Sequence, residues 1–201
     1  MSRTPRPLVR IVPLLALIAL VGSLLALGSA PSSAAAAPHR TRVVVKVADC
    51  EGCQVFLQQG LRSSWWSSRT HRVRDGKAVF SVPSTRTRGM SIGITGTWEA
   101  TSPHPSGFQS IVTLRYRGVA AGDEVTAAVA RTQRRGSACF AGTSADRVVF
   151  RVEARRQRIA GNGGPAVTTL AWASPQAAVL PRTQERVYRG VFGAQDVVPC
   201  S

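Results

Sequence analysis

Apolar side chains recur at every second position in several short segments of this 201-residue chain. The alternating positions include Val43, Val45 and Val47 in one segment and Val148, Phe150 and Val152 in another. A period of two is typical of half-buried β-strands, because successive strand side chains point to opposite faces of a sheet. No segment sustains a helical period, although residues 123–131 could hold one or two helical turns. The pattern predicts an all-β protein.

Turn residues separate the predicted strands. Asp75-Gly76 stands between two of them and is a strong signal for a two-residue turn. Further strand candidates are residues 53–59, 69–74, 77–82, 91–98, 111–117, 166–173 and 185–192. Hydrophobic residues make up 44% of the chain and charged residues 18%, a composition that excludes intrinsic disorder. We therefore expect a single antiparallel β-sandwich, immunoglobulin-like or transthyretin-like, with a β-barrel as the alternative.

The N-terminus has the pattern of an export signal. Arg3, Arg6 and Arg10 precede the apolar run of residues 11–27, and small residues follow up to Ala37. We expect residues 1–37 to be a signal peptide for the general secretory route. Residues 38–201 would then form one domain that is extracellular or at the cell surface, with no stable membrane span after cleavage. An uncleaved membrane anchor is the alternative.

The exported part contains four cysteines, namely Cys50, Cys53, Cys139 and Cys200. In an oxidising compartment we expect two disulfides, for which three pairings are possible. Cys50-Glu51-Gly52-Cys53 is interpreted as the tight turn between the strands at 43–47 and 53–59. The Cα atoms of residues i and i+3 of a turn lie within about 7 Å, which suits a disulfide. We predict Cys50–Cys53, which leaves Cys139–Cys200.

A C-x-x-C pair can also belong to a thiol–disulfide redox protein, in which the first cysteine lies at the N-terminus of a helix. Here β-prone Val55 and Phe56 follow the pair and the segment ends at Gly60, so redox chemistry is only an alternative. A structural zinc site would need a second closely spaced pair of ligands. No metal site and no cofactor are predicted.

The segment Asp49-Cys50-Glu51-Gly52-Cys53, the later residues 137–142 and the terminal Val-Pro-Cys carry a resemblance. Together they resemble a set of exported β proteins of GC-rich Gram-positive bacteria that have no assigned function. The resemblance spans nearly all of residues 38–201 and implies no activity, so no functional residue is carried over. More loosely, the first hairpin is similar to those that open transthyretin-like or carboxypeptidase-regulatory-like sandwiches.

The chain is strongly basic, with 26 Lys+Arg against 10 Asp+Glu and a formal net charge of +16. Removal of the three signal-peptide arginines leaves +13 on residues 38–201. Nearly all of the basic residues are arginine, since Lys46 and Lys77 are the only lysines. Base composition of a GC-rich genome is one explanation of the arginines, and attraction to an anionic partner is the other.

Several arginines and two adjacent tryptophans are candidates for ligand binding. Residues 111–117 should place Val112, Leu114 and Tyr116 inward and the arginines outward. The outward arginines are Arg72, Arg74, Arg115, Arg117, Arg151, Arg155 and Arg156. Trp65 and Trp66 cannot both enter one core if their segment is extended, so one indole could offer a platform for a sugar ring. The candidate ligand-binding residues are Trp65, Trp66, Arg72, Arg74, Arg115 and Arg117.

The sequence has no G-x-S-x-G or H-E-x-x-H pattern, and no catalytic residues are predicted. A recognition helix and an RNA-binding sheet motif are also absent from the sequence, so specific nucleic-acid recognition is not expected. We predict a non-enzymatic binding or structural module of the cell envelope. The alternatives are a binder of an anionic cell-wall polymer or glycan and a redox protein that uses Cys50 and Cys53.

Overall fold

The structure is a computed structural model that describes residues 37–60, 65–104, 109–132, 136–161 and 163–177. Most of its elements are strands, as the alternation predicts. The strands are β1 (Arg40–Ala48), β2 (Gln54–Gly60), β3 (Trp65–Ser67), β4 (His71–Arg72), β5 (Lys77–Pro83), β6 (Met90–Thr95), β7 (Arg115–Tyr116), β8 (Gly136–Ser137), β9 (Arg147–Gly161) and β10 (Gly164–Ala173). One α-helix, α1 (Ala127–Ala130), and two short 3-10 helices (Ser84–Arg86 and Thr97–Thr101) complete the elements.

The strands form two larger sheets and one small sheet. The first sheet has the order β10-β9-β1-β5. In the second sheet, β2 pairs with β3, β4 and β6. The small sheet consists of β7 and β8. The strand expected at residues 185–192 lies outside the described residues.

The expectation of antiparallel pairing throughout is wrong, because the strands β1 and β9 run parallel and the isolated bridge between Thr113 and Trp172 is also parallel. Parallel neighbours need a crossover connection between them. The residues between β1 and β9 supply this connection, and they also build the second sheet. The first sheet is therefore mixed, whereas the second sheet is antiparallel.

The turn at Cys50–Cys53 is formed as predicted, and Cys53 N donates to Cys50 O at 3.1 Å. However, the predicted hairpin between its flanking strands is wrong. β1 pairs with β5 and β9, whereas β2 pairs within the second sheet. The turn thus carries the chain from one sheet to the other. Alternation of apolar residues fixes which face of a strand is buried, but it does not fix the neighbouring strand.

The Asp75-Gly76 turn is also formed as predicted. Asp75 and Gly76 have φ of 49° and 66°, the positive values that a type I′ turn requires. Arg74 and Lys77 close the turn through two backbone hydrogen bonds of 3.0 and 3.1 Å. This turn also connects the two sheets, because β4 pairs with β2 and β5 pairs with β1.

One hydrophobic core contains residues of both larger sheets. The first sheet contributes residues such as Val43, Val45 and Phe150, and the second contributes residues such as Leu57 and Ile92. Val112, Leu114 and Tyr116 are all buried, which confirms the predicted inward positions. Residues 111–117 form a strand only at Arg115–Tyr116, with isolated bridges at Ile111 and Thr113.

The segment before β7 connects the edges of the two larger sheets. Val112 N donates to Ile92 O of β6 at 2.8 Å, and Thr113 N donates to Ala171 O of β10 at 3.2 Å. Ala173 N donates in turn to Thr113 O at 2.9 Å. Backbone hydrogen bonds therefore join β6 to β10 along this edge.

A second, smaller core lies on β10. Leu170 and Trp172 pack there with Tyr116, Val125 and Ala130. Thr126 caps α1, since its Oγ1 accepts from Val129 N at 3.3 Å. Leu170 is the register partner of Arg155, and Trp172 is the register partner of Glu153. This core therefore covers the β10 part of the sheet face on which Arg155 and Glu153 lie.

No helix among the described residues is long and apolar enough to cross a membrane.

Candidate anion-binding surface

Three cations lie side by side on the face of the first sheet that points away from the main core, and a fourth, in the turn beside β5, continues their line. Arg74 is the register partner of Lys77, Lys77 of Lys46, and Lys46 of Arg151. Register partners on adjacent strands project their side chains to the same face. All four are exposed. We call these residues the cation row, and their Cα atoms span about 15 Å because neighbouring strands lie about 4.8 Å apart.

A second pair of cations, Arg42 and Arg147, lies on the same face four residues away along β1 and β9. Arg42 is also the register partner of Ser81, whose hydroxyl accepts from Arg40 Nε at 2.9 Å. The rise of a strand places the pair about 13 Å from the cation row. This sheet face therefore carries basic side chains over an area of about 15 by 13 Å.

Three valines separate the two sets of cations. Val79 and Val149 are the register partners of Val44 on the two neighbouring strands. Val149 is 40% exposed, the largest exposure of a large hydrophobic residue in the part of the chain that the structure describes. The face is therefore basic at both ends and apolar across its middle.

The cation row has no ion-pair partner among the described residues. The ion pairs found there join Arg155 to Glu153 at 3.7 Å and His39 to Asp146 at 2.8 Å. Like charges directly opposite each other on adjacent strands are destabilising. A bound anion would relieve this repulsion.

The turn at Cys50–Cys53 is hydrogen-bonded to the Asp75-Gly76 turn, which is flanked by Arg74 and Lys77 of the cation row. Glu51 Oε2 accepts a hydrogen bond from Gly76 N at 3.2 Å. Gly52 N donates to Val73 O at 3.0 Å, and Val47 N donates to Gly76 O at 2.9 Å. The two turns are thus held together at the end of the sheet where Arg74 and Lys77 lie.

The predicted Cys50–Cys53 disulfide is confirmed, with a Cα–Cα separation of 5.5 Å. The two residues are 3% and 0% exposed. A thiolate in solution must reach a sulfur atom to exchange with it, so this burial protects the bond. Cys200 lies outside the described residues, and Cys139–Cys200 stays a prediction.

A cavity of about 450 Å³ opens at the Arg151 and Lys46 end of the cation row. Its lining consists of Lys46, Val47, Ala48, Gly76, Arg151, Val152, Glu153 and Ser174. Val47 and Val152 are buried, and Ala48 and Gly76 have little or no side chain. Small residues between large charged ones leave the space open.

The structure brings only part of the predicted ligand-binding set to this face. Arg74 belongs to the cation row, and the outward prediction for Arg151 and Arg155 is consistent with their exposure. Arg72 pairs with Gln54 in the second sheet, and Arg115 pairs with Ser137 in the small sheet. Arg117 follows β7 and is exposed. The register places neither Arg72, Arg115 nor Arg117 in the cation row.

The adjacent tryptophans are not on this face. Trp66 pairs with Gln59 of β2, packs against the main core and is half-buried. The Arg86 guanidinium lies 5.7 Å from the centre of its ring. The Trp65 side chain lies outside the described residues. Trp66 therefore has a packing role, and Trp65 as a sugar platform stays a prediction.

Sequence reasoning missed Lys46, Lys77, Arg42 and Arg147 as a group. The two lysines could have been singled out from the sequence, because a chain with 26 basic residues contains lysine only at positions 46 and 77. Their adjacency depends on the pairing of β1 with β5, which the sequence pattern does not define.

Among the described residues, one carboxyl group with a shifted pKa, that of Glu99, lies away from the basic face. Burial raises the pKa of Glu99 above its ordinary value, and hydrogen bonds from Thr169 and Gly96 oppose this rise only in part. Thr169 Oγ1 donates to Glu99 Oε1 at 2.5 Å, and Gly96 N donates to the same atom at 3.2 Å. Glu99 thus connects a 3-10 helix to β10.

Among the described residues, no group of three or more potential metal ligands is found.

No protein-family model, curated protein or solved structure matches the chain.

Proposed function

We propose that this protein is an exported, non-enzymatic β domain of the cell envelope that binds an anionic polymer through the outer face of its first sheet. The observation that carries the proposal is the cation row, in which Arg74, Lys77, Lys46 and Arg151 are consecutive register partners. Both lysines of the chain belong to it. Genome composition accounts for abundant arginine, but it does not account for two lysines at adjacent positions of a folded sheet.

The spacing of the charges favours a polymer over a small anion. Arg42 and Lys46 are separated by four residues of β1, or about 13 Å. A single phosphate or carboxylate cannot contact cations this far apart, whereas a chain of linked anions can. Val149, which lies between the two sets of cations and is 40% exposed, suits the carbon backbone of such a chain, whereas its neighbour Val44 is buried.

We also propose that the two larger sheets face each other as a β-sandwich. Their shared hydrophobic core supports this arrangement. Backbone hydrogen bonds of Val112 and Thr113 to both sheets favour closure along one edge, a feature that the barrel alternative would share. The proposed sandwich leaves the cation row on its outside.

The redox alternative has less support. Both cysteines of the Cys50–Cys53 pair are buried, and strand β2 follows the pair where a redox motif would have a helix. The hydrogen bonds of Glu51 and Gly52 to the neighbouring turn favour a structural role for the disulfide.

The proposal is tested by retention of the purified protein on a matrix that carries poly(glycerol phosphate), with neutral dextran as the control matrix. Exposed charges at this distance are screened by salt, with a Debye length of about 8 Å at physiological ionic strength. We expect retention on the charged matrix only and a steep fall as salt is raised from 50 to 500 mM, on the order of tenfold or more. Equal retention on both matrices, or retention independent of salt, would exclude the proposal.

A further inference from the structure

We infer that the cavity beside Lys46, Arg151 and Glu153 receives a phosphate group esterified to a hydroxylated carbon chain. Lys46 and Arg151 hold the phosphate, and Glu153 accepts a hydrogen bond from a hydroxyl group of the ligand. The inference rests on the proposed function and names the repeating unit of the polymer, a polyol phosphate.

Two register pairs on β1 and β9 define the cavity. Lys46 faces Arg151, and Ala48 faces Glu153 two residues further along both strands. Both pairs point to the outer face, and they lie about 6.6 Å apart along the strands. The lining of the cavity thus includes two basic residues from one register pair and one acidic residue from the other.

This combination of charges selects for a particular chemistry. A guanidinium and an ammonium group donate to phosphate oxygens, whereas an ionised carboxylate only accepts hydrogen bonds. A bare phosphate gains from the cations but is repelled by Glu153. A phosphate with a neighbouring hydroxyl group satisfies both sides, because the hydroxyl donates to the carboxylate.

The position of Glu153 is supported from outside the cavity. Arg155 Nη2 lies 3.7 Å from Glu153 Oε2. The Arg155 guanidinium in turn lies 5.8 Å from the centre of the Trp172 ring, and Trp172 is buried in the second core. Glu153 itself is half-buried. Glu153 is therefore in contact with Arg155, which in turn contacts the second core through Trp172.

The size and lining of the cavity fit a polyol better than a nucleotide. Its volume of about 450 Å³ exceeds the space that one phosphate needs and falls in the range of small-molecule sites. The lining residues in the described part of the chain include no aromatic side chain on which a base could stack. Gly76 and Ala48 leave room where the carbon chain would continue.

The test measures binding of glycerol 3-phosphate, inorganic phosphate and glycerol to the purified protein by NMR titration at low salt. We expect glycerol 3-phosphate to bind several-fold more tightly than phosphate and glycerol not to bind. Glu153→Gln should reduce the preference for glycerol 3-phosphate, because an amide oxygen is a weaker hydrogen-bond acceptor than a carboxylate, while phosphate affinity stays equal or rises. K46Q/R151Q should weaken both phosphates by about tenfold.

Short poly(glycerol phosphate) oligomers distinguish a polymer from a free metabolite as the source of the ligand. We expect them to bind more tightly than the monomer, because they also reach Arg42 and Arg147. Glu124→Gln, at an exposed carboxylate, is the matched control and should leave every affinity unchanged. Circular dichroism verifies that each variant is folded.

Two results would overturn the inference. One is equal affinity of the wild-type protein for phosphate and glycerol 3-phosphate. The other is an equal gain in both affinities in Glu153→Gln, which would mean that Glu153 only repels anions. In either case, retained binding to the poly(glycerol phosphate) matrix would leave the proposed function intact, and loss of that retention would exclude the function itself.

Discussion

Lys46 of β1 and Lys77 of β5 lie directly opposite each other, and they are the only lysines in the sequence. Arg74 and Arg151 extend the same line on either side. An arrangement that repels itself in the free protein is a reason to expect an anionic ligand.

Lys77→Glu should stabilise the fold and weaken polymer binding. The new carboxylate would face Lys46 and Arg74, so two repulsive neighbours become attractive. We expect the free energy of unfolding to rise by about 0.5 kcal/mol in a urea titration. Arg115→Glu is the control, since its register partner is the neutral Ser137. A Lys77→Glu variant that is less stable than the wild type would contradict the repulsion on which the argument depends.

Glu51→Gln should weaken the link between the two turns. Its carboxylate accepts from Gly76 N, and hydrogen bonds to charged groups are stronger than neutral ones. We expect a loss of about 0.5 kcal/mol of stability in urea, at the low end because the site is exposed. Amide hydrogen exchange at Gly76 should accelerate, and an unchanged rate would show that the contact is not maintained in solution.

C50S/C53S should lower the free energy of unfolding by about 2 kcal/mol, since the disulfide closes a short loop. The native protein should keep this disulfide in a mild reductant, because both cysteines are buried. The measurement combines urea unfolding with counting of reactive thiols. Rapid reduction of the native protein, followed by modification of Cys50, would instead support the redox alternative.

Glu99→Gln should change how stability depends on pH. The raised pKa means that folded Glu99 binds a proton more strongly than unfolded Glu99. The contribution of Glu99 to the free energy of unfolding is therefore fully present below its ordinary pKa, and it is lost as pH rises through the raised pKa. Glutamine stays neutral, so the variant should have a higher Tm than the wild type at pH 7 and a similar Tm at pH 4. Identical Tm profiles in thermal unfolding scans would refute this.

Much of the local structure follows from the sequence. Valines alternating at 43, 45 and 47 predict β1, and Asp75-Gly76 predicts a type I′ turn, because both signals act within a few residues. The Cys50–Cys53 disulfide is also a local property. The sequence pattern predicts a strand at Trp98, whereas the structure has this residue in a 3-10 helix. Its Nε1 donates there to Thr168 O at 3.1 Å, a contact between residues distant in sequence.

The candidate site was less predictable because it depends on contacts between residues distant in sequence. The exposure of residues such as Arg74 and Arg151 follows from alternation, but their alignment in one row requires three pairings between neighbouring backbone segments. One of these is the parallel pairing of β1 with β9, which are separated by the whole second sheet. Such pairing is set by how the sheets pack, and a period of two carries no information about it.

The central claim, that the cation row binds an anionic polymer, is tested most directly by two double charge reversals, one inside the row and one outside it. K46E/R151E removes two members of the cation row, and R156E/R158E makes the same change in net charge at exposed residues of β9 outside the row. Affinity for poly(glycerol phosphate) is measured at 100 mM salt. The account predicts a loss of at least about tenfold in K46E/R151E, at about 1.4 kcal/mol per tenfold, and a much smaller loss in R156E/R158E. Equal losses in the two variants would mean that only net charge matters and would contradict a binding site at the cation row.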